Sequence, residues 1–144
     1  MALNKKPCLA GNWKMHKLEH ELTPYLEEFQ QNCSVPLEQL TEKIELMLAV
    51  PHVLLAKAQE AFCPNHINIA AQNFHWEAKG AFTGEVSACM LKDMGLTHSL
   101  VGHSERRLLF GEKNDDVKKK TQAATELGIT SIICVGEERD QREM

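Results

Sequence analysis

Five short apolar runs, Pro7–Gly11, Ile44–Val50, Ile67–Ala71, Leu96–Gly102 and Thr130–Val135, recur along the chain, separated by stretches whose apolar residues return at helical spacing. A run too short for an ordinary helix and closed by glycine, proline or a polar residue is the pattern of a strand buried on both faces. Strands alternating with helices in units of roughly 20 to 40 residues make βαβ units, and these make a parallel sheet. Right-handed crossovers then put every strand exit on one face. Asn12, Lys14, Gln72, His103, Glu105 and Glu137 all stand at or just past strand ends. The pattern predicts a polar site there.

Between the runs, Leu18, Leu22, Tyr25, Leu26 and Phe29 share one helical face, with acids and glutamines opposite. Pro24 falls inside this pattern. Either a fresh helix begins with Thr23 as N-cap and Pro24 at the first helical position, or the ring kinks a continuous helix. Ser34–Thr41 reads as a break, Pro51 stops the second strand, and His52–Phe62 reads as the next helix. The stretch Gln72–Val86 is long, aromatic and glycine-bearing, and fits a lid or a packed Ω-loop. Ser87 can cap a helix that Gly95 ends. Asn114, Asp115 and Asp116 supply the cap and acidic first turn of a helix over Val117–Leu127, on which Lys118-Lys119-Lys120 reads as a solvated face. A last helix is expected over Glu138–Met144.

A length of 144 residues suits one domain over 1–144 with a core of ordinary size. The net charge of −4, with basic residues scattered, gives no electrostatic footprint for nucleic acid or an anionic membrane, so neither partner is expected. No uncharged stretch is long enough to span a bilayer, and residues 1–10 lack a leader-like apolar core. Five cysteines, an odd number without a CxxC pair, fit a reducing compartment, and the expected location is cytoplasmic. His16 and His20 stand four residues apart but lack HExxH and a third ligand, so they read as a solvated helix face and no metal is expected.

Two strand exits carry chemistry by residue type alone. Lys14 is a point cation suited to a phosphate or a developing oxyanion, with the Asn12 amide beside it; a plain surface lysine fits the spacing as well. In Leu100-Val101-Gly102-His103-Ser104-Glu105-Arg106-Arg107, an apolar run reaches a glycine, presents a histidine and opens into a helical turn. Ligands of layered α/β proteins bind outside strand carboxyl ends, and the amides of the following turn favour a neutral imidazole that can donate to a carbonyl. A hydrogen-bonded structural histidine is the competing reading of His103, and an exposed helix-start glutamate that of Glu105.

Ala10-Gly11-Asn12-Trp13-Lys14-Met15, Ala71-Gln72-Asn73, Gly80-Ala81-Phe82-Thr83-Gly84-Glu85, Gly102-His103-Ser104-Glu105-Arg106 and Cys134-Val135-Gly136-Glu137 resemble, in order, blocks of the triosephosphate isomerase family. The resemblance runs from about Cys8 to the last residue and implies an α/β fold of the (β/α)8 TIM-barrel kind, truncated to about five parallel strands. It implies interconversion of dihydroxyacetone phosphate and glyceraldehyde 3-phosphate through an enediolate, in glycolysis and gluconeogenesis, with no cofactor. Asn12 and Lys14 match the substrate-binding pair, Lys14 facing phosphate and enediolate charge. His103 matches the electrophile that polarises the carbonyl as a neutral imidazole, a role carried over from the family itself. Glu105 matches the acidic neighbour that orients Lys14 and the site. Gln72–Val86 resembles a loop that inserts into the partner of a homodimer, with Thr83 completing the neighbour's site and Glu85 pairing Arg106 across the interface. Cys134 matches a supporting cysteine that packs.

A whole barrel of this kind takes about 250 residues and eight strands. The family's catalytic glutamate lies on a sixth loop, within a motif like Tyr-Glu-Pro-Val-Trp-Ala, and these 144 residues contain no such motif. The expectation is an N-terminal portion with half a site, exposed edges on strands one and five, and little activity by itself. The alternative is a non-catalytic half-barrel that binds a phosphorylated ligand or associates with another chain.

Overall fold

The computed structural model describes residues 6–137 and Arg142, so the helix expected over 138–144 lies outside the described residues except at that one position. Elements alternate along the chain as the apolar runs require. They fall into two compact units, residues 1–72 and 73–144.

In the first unit three strands, β1 (Cys8–Asn12), β2 (Glu45–Val50) and β3 (Ile67–Ala71), are parallel. The register places Gly11 beside Leu48 and Ala49 beside Ala70. β2 and β3 are almost wholly buried, as their mostly apolar runs demand, with the polar pair Glu45 and Asn68 bonded to each other at 2.9 Å, whereas residues 8–11 of β1 are exposed. Three helices follow: α1 (Leu22–Asn32), α2 (Leu37–Lys43) and α3 (Leu55–Phe62). Leu22 and Leu26 of α1 and Leu55, Ala58 and Phe62 of α3 are the buried stripes. Trp13, 8% exposed, meets Tyr25 and Phe62 edge-on at 5.1 and 5.8 Å and so seals the strand exit onto the helices.

Local chemistry corrects the sequence expectations in three places here. The α-helix begins at Leu22 after a 3₁₀ turn over Glu19–Glu21, so Thr23 is not its cap and no kink is needed. Pro24 occupies the third helical position, where its missing N–H is one of the donors that has no intrahelical partner anyway. Leu18 lies before that turn and is 62% exposed; His20 sits in the turn and His16 before it, so the two histidines do not share a helix face. The expected break at Ser34–Thr41 instead holds most of α2, which starts behind Pro36 and closes at its C-cap Ile44, whose amide donates to the Leu40 carbonyl at 3.1 Å; within it the Thr41 hydroxyl donates to the carbonyl of Leu37. Seven residues are too few to show a period in sequence.

The second unit holds α4 (Ala88–Asp93), β4 (His98–Val101), α5 (Ser104–Phe110), α6 (Asn114–Glu126) and β5 (Thr130–Ile133), with β4 and β5 parallel and Ser99 beside Ser131. Ser87 caps α4 as expected, its hydroxyl accepting from the Met90 amide at 3.2 Å. α6 starts earlier than expected, at Asn114 with Lys113 before it as the cap position; Asp115 and Asp116 form the acidic first turn as expected, and Asp116 accepts from the Lys113 amide. The reading of the lysine run as solvated holds for Lys118 and Lys119, but Lys120 is 4% exposed. It occupies the buried stripe of α6 with Val117 and Ala124.

Candidate active site

At the exit of β1 the backbone must turn sharply, and Lys14 takes up left-handed geometry, φ 53°. A non-glycine residue there is strained and needs holding. The Asn12 side chain accepts from the Lys14 amide at 2.9 Å, and the Gln72 amide donates to the Lys14 carbonyl at 2.8 Å and to Asn12 Oδ1 at 3.2 Å. Gln72 also reaches the Ala49 carbonyl at 3.3 Å, while Trp13 N donates to that same carbonyl at 3.0 Å. The exits of β1, β2 and β3 are thus tied together. Asn12, Lys14 and Gln72 lie together at these exits, with Asn12 and Gln72 half-buried and Lys14 exposed.

In the second unit His103 is the N-cap of α5, and its Nδ1 accepts from the Glu105 amide at 3.2 Å. A ring nitrogen that accepts carries no proton, so the imidazole proton sits on Nε2. The Glu105 carboxylate lies 3.6 Å from the same Nδ1. His103 is 22% exposed: held, yet open to solvent on part of its ring.

Behind His103 lies a network that sequence reasoning missed. Glu112, 8% exposed, accepts from the Gly102 amide through Oε1 at 2.9 Å, and its Oε2 accepts from Arg106 Nε at 2.9 Å and Lys120 Nζ at 2.7 Å. Lys120 also donates to Asn73 Oδ1 at 2.7 Å. Burial pushes the Glu112 carboxyl up, but the bonds and charges of Lys120, then Arg106, outweigh it and hold it below the usual carboxylate range. A sequence signal existed: Lys120 falls three residues after Val117 and four before Ala124, on the apolar stripe, and a lysine there requires a buried acid. Beyond β5, burial pushes the Cys134 thiol up, with Arg107 pulling it down and Glu112 pushing it further up.

The loop over 72–86 carries His75 against Trp76 and Phe82, ring centroids 4.3 and 4.1 Å apart, and Lys119 lies 4.8 Å over the Trp76 ring. Thr83, Glu85 and Arg106 line one cleft of about 330 Å³. Among the described residues no group of three or more His, Cys, Asp or Glu is arranged to hold a metal ion, and no helix is long and apolar enough to cross a membrane.

Parallel strands alternating with helices, with polar side chains at the strand exits, place the chain in the class of (β/α) folds. The family pattern described as Triosephosphate isomerase matches residues 7–144. The chain belongs to the triosephosphate isomerase family. It is 45% identical over 139 residues to the triosephosphate isomerase of Solibacter usitatus, covering 96% of this chain and 54% of that protein. Against the enzyme of Acetivibrio thermocellus it is 43% identical over 141 residues, covering 98% and 54%. The crystal structure of triosephosphate isomerase from Bartonella henselae superposes with a TM-score of 0.82 at 35% identity, over 96% of this chain and 55% of that one. The chain therefore spans about half the length of the relatives it matches.

Proposed function

We propose that this chain carries the N-terminal half of a triosephosphate isomerase site, for interconverting dihydroxyacetone phosphate and glyceraldehyde 3-phosphate. The observation that carries the reading is the imidazole of His103, which spends Nδ1 on the Glu105 amide and so keeps an N–H on Nε2 for a substrate carbonyl. Lys14, turned out by the Asn12 and Gln72 contacts, supplies the cation for phosphate and enediolate charge, and Asn12 positions it. Glu105 keeps the histidine in its donor tautomer through its backbone amide. Turnover also needs a carboxylate to carry the proton between adjacent carbons, and a positioned base alone is worth about 10²- to 10⁴-fold. Nothing in the 144 residues matches the family's base-bearing motif, so the polypeptide alone has little or no isomerase activity.

The active assembly is a cytoplasmic homodimer, in which the cleft lined by Thr83, Glu85 and Arg106 meets a partner. Leu108, Leu109 and Phe110 support this: they are 71, 74 and 68% exposed beside Arg106, an apolar cluster that favours being covered. An isomerisation assay on the purified chain of confirmed mass tests the reading. The expected rate is close to the buffer background, together with a dihydroxyacetone phosphate-dependent change in the His103 ring signals. Full turnover by the 144-residue chain overturns the half-site reading.

A further inference from the structure

We infer that Glu112 is a positioning residue for His103, acting through the peptide groups of Gly102; this rests on the reading of His103 as the carbonyl-polarising group. Gly102 joins β4 to the histidine and has φ 72°, a geometry that leaves its two peptide groups outside the strand and helix ladders. Both are taken by side chains. Glu112 Oε1 accepts from the Gly102 N–H at 2.9 Å, and Arg107 Nε donates to the Gly102 carbonyl at 2.7 Å. A Cβ on Gly102 would lie 2.8 Å from Val117 Cγ2 and 2.9 Å from Arg107 Nη2, so the turn is packed as well as bonded.

The far side of the clamp is fixed to the helices. Arg107 Nη1 donates to Asn114 Oδ1 at 2.8 Å at the start of α6, and Glu112 Oε2 is held by Arg106 from α5 and Lys120 from α6. The amides of Arg106 and Arg107 donate to the His103 carbonyl at 2.9 and 3.2 Å. The direction in which His103 leaves the strand is therefore set by one glycine, whose amide is held by one buried carboxylate. Rotation of the Gly102 peptide moves the imidazole relative to the Glu105 amide and loosens the bond that fixes its tautomer.

Two double variants separate positioning from folding, because both remove the buried charge pair together. In Glu112→Gln/Lys120→Met the glutamine carbonyl still accepts from Gly102. In Glu112→Leu/Lys120→Met nothing does. Nitrogen-15 NMR of the full chain reads the His103 ring, where a fixed tautomer gives two well-separated signals and a mixed one brings them together; amide exchange reads Gly102. The leucine variant is expected to draw the two ring signals together and speed Gly102 exchange by about tenfold or more, the size of a lost bond to a charged acceptor. The glutamine variant keeps the wild-type ring signals. Ring signals unchanged in both variants overturn the inference, as does equal collapse in both. Dihydroxyacetone phosphate added to wild type tests the parent reading separately: its failure to move the His103 signals refutes the substrate role, while the free-chain spectra still decide what Glu112 does.

Discussion

Replacing Lys120 with methionine is the most searching stability test, because it removes one cation from a buried carboxylate and changes little volume. Lys120 and Glu112 side chains are 5 and 4% exposed, and Nζ lies 2.7 Å from Oε2. Removing one partner of a pair this buried leaves a charge that water cannot reach, at a cost of about 3 to 5 kcal/mol. Arg106 still donates to Oε2 and the Gly102 amide to Oε1, which places the loss toward the lower end of that range. At about 2 to 4 °C per kcal/mol for a chain near this size, the melting temperature should fall by roughly 10 °C. Thermal unfolding followed by circular dichroism measures it. Adding Glu112→Gln should recover about 1 to 2 kcal/mol, since the stranded charge is gone and coupled neighbours do not add. A single-variant loss below about 1 kcal/mol, the size of an exposed pair, would falsify the assignment of Lys120 to a buried network.

The same network sets a pH dependence. Burial raises the Glu112 carboxyl and the bonds from Lys120 and Arg106 lower it further, for a net depression in the folded chain. A depressed acid stabilises fully above its ordinary unfolded value, and that contribution is lost as pH falls through the folded one. Lys120→Met removes the larger of the two opposing cations, so its stability should begin to fall at higher pH than that of wild type during acid titration.

Gln72→Leu removes the amide that holds the Lys14 carbonyl and Asn12 Oδ1, and the freed acceptors should cost about 1 to 3 kcal/mol, with faster exchange of the Lys14 amide by NMR. Unchanged exchange there would show that Asn12 alone holds the strained turn. Burial raises the half-buried thiol of Cys134, so it should be alkylated more slowly near pH 8 than the same residue in the urea-unfolded chain. Equal rates in the two states would refute the burial argument.

The strands were legible because each is a short, mostly apolar run with a clear stop: β3 spans Ile67–Ala71 as read, and β2 ends where Pro51 stops it. The candidate site residues were legible because they stand at strand ends, where Asn12, Lys14, His103 and Glu105 come just after an apolar run closes. The rest was hidden for particular reasons. α2 has only two turns, too few for a period to emerge. Lys120 stands in a run of three like residues, and the run as a whole reads as the solvated face that suits only Lys118 and Lys119. Glu112 followed a glycine that ends a helix, a setting usually exposed, and only its fold partners show why a carboxylate is needed there. Tertiary pairing of charges leaves little trace in a local pattern.

Both units solve the same mechanical problem in the same way. A strand exit must turn to present a functional side chain, and the turn uses left-handed backbone: Lys14 itself at φ 53° in the first unit, Gly102 before His103 at φ 72° in the second. Strain of this kind costs roughly 1 to 3 kcal/mol for a non-glycine residue and persists only where the surroundings over-determine it. In the first unit the constraint comes from neutral amides, Asn12 and Gln72, which bond the Lys14 backbone. In the second, glycine removes the steric strain, and the constraint comes from a buried carboxylate and a guanidinium on the two faces of one turn. The charged clamp is the stiffer of the two, because charge-assisted bonds are about twice as strong as neutral ones. The turn before His103 is therefore held by charge-assisted bonds on both of its peptide groups, and the turn at Lys14 by neutral amides alone.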